Sequence, residues 1–235
     1  MTGTLINTLA ILIGSTLGLR LGKLFPERVQ RTVMAALGLF TAAIGLQMFL
    51  KTENPIVVLC GLLAGCLIGE WWRIEDKLTG LGGWLEKRFA NSNGTQTSGN
   101  RFVRGFVTSS LVFCVGPMAI IGSIQDGLTG DFRLLAIKSV LDFFASIAFA
   151  SSLGLGVLFS AFIILLYQGT LSLLAAQAQS FLSTPMTNEM IAAGGVILFG
   201  LAVSSLLEIK PIRIGNFLPG LVTTPLIVAI LTLVR

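Results

Sequence analysis

An all-α, polytopic transmembrane helical bundle of about eight spans is the fold this sequence predicts, and three observations predict it. Of its 235 residues, 54% are hydrophobic and only 11% are charged, against about 25% charged in an ordinary soluble domain. Such a chain has too little polar surface to cover a water-soluble globule. Charge-free apolar runs such as 191–207 and 218–234 approach the ~20 residues with which a helix crosses hydrocarbon. In lipid only helices and closed barrels satisfy their own backbone, and barrel strands are about half that length, so the spans are helices.

Eight segments qualify in order: 3–20, 32–50, 55–72, 105–124, 134–152, 157–180, 190–207 and 218–234. The first has no basic stretch ahead of its apolar run, and Gly14, Gly18 and Gly22 punctuate it. It therefore reads as a span rather than a cleaved signal peptide. The third carries a ladder of Gly61, Gly65 and Gly69, which suits backbone-to-backbone helix packing better than a pore lining. It ends on Glu70, expected to pair with Arg73, and on Trp71 and Trp72, which suit the headgroup level. After it, residues 73–90 place Leu78, Leu81, Trp84, Leu85 and Phe89 on one helical face, as in a helix lying in the interface. NSNGTQTSGN (91–100) reads as a flexible linker. The organisation is thus 1–72 with three spans, 73–104 as interfacial helix and linker, and 105–235 with five spans.

The remaining spans carry the polar interruptions. In the fourth, Gly116-Pro117 falls about eleven residues in, near the middle of the bilayer at ~1.5 Å per residue. Pro117 has no N–H and its ring clashes with the Phe113 carbonyl, so the helix must kink or break there. Thr223-Thr224-Pro225 predicts a similar interruption in the eighth span. Paired interrupted helices are a pointer to a transporter site, and two kinks that only shape packing are the plainer alternative. GKLFPERV (22–29) and GNFLPGLV (215–222) also echo one another, as a duplication of spans 1–2 and 7–8 would leave them.

The basic residues predict orientation. Arg20, Lys23, Arg28, Arg31, Arg73, Lys77, Lys87, Arg88, Arg101, Arg104, Lys210 and Arg213 collect on one side, and only Lys51, Arg133 and Arg235 on the other. The positive-inside rule then puts both termini outside the inner (cytoplasmic) membrane, with an even number of spans. The net charge of +5 reports this topology and not a nucleic-acid partner. The expected partner is the bilayer itself; the glycine seams suit a homo-oligomer and intramolecular packing equally well.

Composition also narrows the chemistry. There is no histidine, which removes the commonest general base and metal ligand. Cys60, Cys66 and Cys114 sit in apolar segments and read as small buried hydrophobes, not as a metal site. GPMAIIG lacks the GK[ST] ending of a phosphate loop, so neither nucleotide nor any other cofactor is expected. An enzyme is not expected.

The candidate binding residues are those whose polarity is expensive in a span. Lys138 and Asp142 are four apart, hence on one helix face. A charge at that depth costs about 2.5–3.5 kcal/mol on insertion scales, so it must face inward with a partner. The pair is either a structural ion pair or a cation or proton site. Gln168, beside Tyr167 and Gly169 in the sixth span, supplies amide groups. Gln125 and Asp126 end the fourth span, where solvent exposure is expected. Asn7 and Gln47 pose the same question more mildly. Lys138, Asp142, Gln168, Gln125 and Asp126, together with Gly116, Pro117, Thr224, Pro225 and Glu70, define a candidate site for a small ion or polar solute.

Four strings carry a resemblance: LIGEWWRIE (67–75), GPMAIIGSIQDGLTGD (116–131), KSVLDF (138–143) and YQG (167–169). Through them the chain resembles, over nearly its whole length, the bacterial membrane-protein family called domain of unknown function 554. The resemblance implies a multi-span inner-membrane protein and carries over no ligand or catalytic residue. The expected function is therefore a transporter or channel-like permease, with a non-transporting sensor or assembly subunit as the alternative.

Overall fold

A computed structural model describes residues 1–22, 24, 26–89, 96–175 and 183–234. Among these are ten α-helices and no strand: α1 (Thr2–Gly22), α2 (Glu27–Phe49), α3 (Pro55–Trp72), α4 (Ile74–Phe89), α5 (Gln96–Val115), α6 (Pro117–Thr129), α7 (Arg133–Leu153), α8 (Gly156–Leu173), α9 (Thr184–Leu201) and α10 (Gly220–Val234). A π-helical turn, Ala202–Leu206, continues α9, and a 3-10 turn, Ile214–Phe217, precedes α10. Lys23, residues 91–95 of the expected linker, 176–180 of the expected sixth span and Arg235 lie outside the described residues.

Local chemistry sets the helix ends. Asn54 caps α3, its Oδ1 accepting the Ile56 N–H at 3.2 Å, and Pro55 opens the first turn. Arg73 ends α3 in the left-handed region (φ 51°). The next helix carries Glu75 and Asp76 in its first turn and Lys87 and Arg88 in its last, which complements the helix dipole. Between α5 and α6 the chain turns extended at Gly116 (φ −67°, ψ 141°), and α6 begins at Pro117. The proline that cannot continue one helix is suited to start the next. Gly130, at φ 72°, ends α6 in the left-handed region open to glycine.

Among the described residues seven helices, some extended by the neighbouring π or 3-10 turn, are long and apolar enough to cross a membrane, and α5–α6, bent by 61°, is a further candidate. The pair runs along most of its neighbour α8. Gly156, at the start of α8, abuts Phe102 and Phe106 of α5. Near its end, the Ser172 hydroxyl donates to the Ser123 carbonyl of α6 at 2.9 Å. Those two places on α8 are about 24 Å apart at ~1.5 Å per residue, most of a hydrocarbon core. Counted as one span, the bent pair brings the candidate spans among the described residues of this helical bundle to eight.

The chain divides into two compact units, Met1–Leu37 with Leu78–Ala178, and Gly38–Lys77 with Gln179–Arg235. The division falls within α2 and within α4. In the first unit α1 lies along α7: Gly3 meets Leu135, Gly14 meets Phe143 and Ser146, Gly18 meets Ile147 and Gly22 meets Ser151. Positions rise together, so the two helices are parallel. Gly105 against Leu153 and Gly122 against Leu135 make α7 antiparallel to α5–α6. The helix α8 runs with α5–α6 and is therefore antiparallel to α1. In the second unit Gly61, Gly65 and Gly69 of α3 meet Thr224, Gly220 and Asn216, and Gly45 of α2 meets Gly195 of α9. The glycine ladders of α1 and α3 are thus both occupied inside the chain, as packing seams.

Three expectations change. Residues 96–100 of the expected linker are helical, the first turn of α5; extending a helix already nucleated at 101–115 costs little. The expected break at Thr223-Thr224-Pro225 is absent, because α10 runs unbroken through Pro225. Pro225 stands just past the first turn, so only the Leu221 carbonyl loses a donor, and neighbouring helices tolerate that in a bundle. Glu70 pairs with Arg213 (3.5 Å) rather than Arg73. The 22–29 and 215–222 echo is a shared helix start. The Pro26 carbonyl accepts from Val29 and Gln30, and the Pro219 carbonyl from Val222 and Thr223.

A candidate polar site inside the four-span unit

The inner face of α7 presents Lys138, Asp142 and Ser146 at intervals of one turn, all buried. Lys138 Nζ lies 2.5 Å from Asp142 Oδ2, with the two side chains 6% and 8% exposed. The same oxygen accepts from Asn7 Nδ2 of α1 at 3.0 Å. Asn7 Nδ2 also donates to Gln168 Oε1 of α8 at 3.3 Å. Phe113 of α5, one turn before the break, lays its ring 5.8 Å from the Lys138 ammonium and packs on Phe149 at 5.9 Å. Four spans therefore converge on one ion pair, with an aromatic face beside the cation.

The bonding in this cluster is incomplete. Asn7 Oδ1, Gln168 Nε2, Thr4 Oγ1 and Ser146 Oγ are buried without a hydrogen-bond partner. An unmade bond costs about 1–3 kcal/mol at such a group, and native interiors rarely leave several together. Among the described residues no three Cys, Asp or Glu side chains gather to hold a metal ion.

The other candidates fall elsewhere. Asp126 is buried rather than solvent-exposed, correcting the expectation. Its Oδ2 accepts the Gly3 N–H at 3.0 Å, and the Met1 amino group lies 3.1 Å from Oδ1. A carboxylate against the first turn of α1 complements its dipole, which explains why burial is tolerated. Gln125 is exposed. Gly116 marks the break, with open space where a Cβ would stand, and Pro117 opens α6. Thr224 and Pro225 are buried in the second unit, where Thr224 abuts Gly61, and Glu70 is exposed there. The structure brings together Lys138, Asp142 and Gln168, and it adds Asn7 as the group that joins them.

Two further polar assemblies escaped the sequence reading, both in the second unit. Glu189 of α9, 3% exposed, accepts from Thr52 Oγ1 (2.5 Å), Glu53 N (2.8 Å) and Asn54 N (3.0 Å), fixing the chain where α3 begins. At the other end of α3, Asn216 Oδ1 accepts the Glu75 N–H at 2.7 Å, and Glu75 Oε2 accepts the Gly215 N–H at 2.6 Å. This exchange ties the start of α4 to the 3-10 turn. Burial pushes the Glu75 carboxyl above its ordinary range, while the Gly215 N–H and the Arg213 guanidinium pull it back. An acidic residue near a helix start was the available signal, Glu75 in the first turn of α4 and Glu189 in the second turn of α9, but its partners are far away in sequence.

The family described as "Protein of unknown function (DUF554)" matches residues 2–229. The chain is 28% identical over 235 residues to "Uncharacterized membrane protein YdfK" of Bacillus subtilis (strain 168), covering 98% of this chain and 97% of that one. It is 32% identical over 220 residues to "Uncharacterized protein YqgA" of Escherichia coli (strain K12), covering 93% and 92%. No solved structure matches.

Proposed function

We propose, on the premise that this chain belongs to the DUF554 family and is a multi-pass membrane protein, that it is a permease for a small ion or polar solute. The observation that carries the reading is the buried Lys138–Asp142–Asn7–Gln168 cluster with its unpartnered Asn7 Oδ1 and Gln168 Nε2. Intramembrane ionisable groups are expensive and mark ion or solute pathways in other bundles. The cluster lies beside the break at Gly116 between α5 and α6, and unwound backbone is at home where it lines a protein or polar cavity. A catalytic reading has less support, because Asp126 and Asp142 are each engaged by different partners and do not form a dyad.

The basic residues argue for orientation. Arg20, Arg28, Arg31, Arg101 and Arg104 gather at the end of the first unit where α1 finishes and α5 begins. We place that end in the cytoplasm and the N-terminus outside an inner membrane. A sensor or assembly role draws its support from α4, whose Leu81, Trp84 and Phe89 are exposed.

Thermal melting of the purified protein against monovalent and divalent ions, amino acids, small organic acids and neutral solutes tests the reading. A ligand at 100 times its Kd stabilises by about 2.7 kcal/mol if it binds only the folded chain. The expected outcome is a shift with wild type that Asp142→Asn loses. If nothing shifts wild type and the variant melts alike, the sensor or assembly role takes precedence.

A further inference from the structure

The register of α1 against α8 narrows the class of solute. The Asn7–Gln168 bond sets one level, and the helices are antiparallel. One turn deeper, Ile11 therefore faces Ile164, and one turn deeper again Ser15 faces Ser160; all four are fully buried. In the outward direction Thr4 comes level with Ser172, also buried. An amide layer and a hydroxyl layer are thus separated by a pair of isoleucines. Ser15 and Ser146 in the deeper layer have unpartnered hydroxyls, and Gly14 lies against the Ser146 Cβ.

The charges near this path cancel. Among the described residues of this unit the buried ionisable side chains besides those of Cys and Tyr are Asp126, Lys138 and Asp142. Lys138 neutralises Asp142 at 2.5 Å, and Asp126 is engaged by Gly3 and the Met1 amino group. Apart from Asp126 Oδ1, which the Met1 amino group faces at 3.1 Å, the buried atoms of this unit without a hydrogen bond are one acceptor, Asn7 Oδ1, one donor, Gln168 Nε2, and hydroxyls that do both. An ion entering the isoleucine layer gives up hydration and meets no countercharge, whereas an uncharged solute gives up only hydrogen bonds that the amides and hydroxyls replace.

Resting on the permease reading, we infer that the solute is small, carries no charge, and both donates and accepts hydrogen bonds, as urea and glycerol do. The Ile11–Ile164 layer is the barrier that excludes ions.

Purified protein in liposomes tests this with urea and glycerol by stopped-flow light scattering, and with potassium and chloride by a potential-sensitive dye. The expected result is urea or glycerol flux well above that of protein-free liposomes, with ion permeability unchanged. Gln168→Leu then lowers the solute flux by about tenfold, the rate equivalent of one hydrogen bond lost. Ile164→Ser admits ions, and size-exclusion profiles establish that each variant is folded. Should either variant fail to fold, the wild-type comparison alone decides. Ion flux without urea or glycerol flux overturns the inference and leaves the permease reading standing. Flux of none of the four overturns the inference, and the melting series against the wider set of solutes then decides the permease reading.

Discussion

At Asp142 a single carboxylate oxygen receives both the Lys138 ammonium and the Asn7 amide, so one oxygen is bonded from two helices and its charge is balanced from one. Removing one member of a buried ion pair strands the other at a cost of about 3–5 kcal/mol, whereas replacing both with apolar groups is often neutral. Lys138→Met and Asp142→Leu are each expected to lower the melting temperature in detergent, and the double variant to recover most of the loss. A double variant no more stable than either single one would sink that account. Glu75 makes a second prediction, with a definite sign. Burial raises its carboxyl above the ordinary 4.5, Asp76 and Glu70 add to the rise, and Arg213 opposes it. A folded pKa above the unfolded one means that the folded chain holds the proton more tightly. The stability this group contributes is therefore present below 4.5 and lost as pH rises through the raised value. Melting between about pH 4 and pH 8 should show a shallower fall for Glu75→Gln, which keeps an oxygen acceptor for the Gly215 N–H. Parallel curves would contradict it. The Lys138–Asp142 pair was legible in the sequence because its members are one turn apart. Asn7 was legible only as a polar residue in an apolar span, since its partner Asp142 is 135 residues away.

Helices in this protein meet through their glycines, and the two kinds of glycine present behave oppositely. A Cβ at Gly18 would run into the Ile147 carbonyl, a backbone atom that cannot move aside. Gly18→Ala is therefore expected to destabilise by about 1–3 kcal/mol through overpacking. At Gly83, within α4, a Cβ would meet nothing within 4 Å, and Gly83→Ala is expected to stabilise by about 0.5–1 kcal/mol on helix propensity alone. Melting of the two variants side by side checks both signs. Span positions were readable because apolar length is a local property, and 55–72 is even bounded by its own cap at Asn54-Pro55. Local sequence also placed the break at Gly116-Pro117. It misjudged Pro225, because whether a proline breaks a helix depends on where the helix begins, and α10 begins just before it.

The two units are interleaved along the chain: the first takes α1, α5–α6, α7 and α8, and the second takes α3, α9 and α10. No reading of consecutive segments could have produced that grouping, because it rests on helix pairings more than a hundred residues apart. The crossing count is testable at Lys87 and Asp131, exposed residues on either side of the bent pair. With Cys60, Cys66 and Cys114 replaced by alanine, Asp131→Cys should react with an impermeant maleimide from outside, and Lys87→Cys only after permeabilisation. Labelling of both from one side would mean that α5–α6 does not cross. The parallel seam between α1 and α7 also bears on how the protein is made. The first span leaves the ribosome with Asn7 and a bare glycine face, and its partner Asp142 follows 135 residues later. At ~5–20 residues per second that interval is on the order of ten seconds. Until then α1 waits at the insertion machinery or in lipid with Asn7 and its glycine face uncovered.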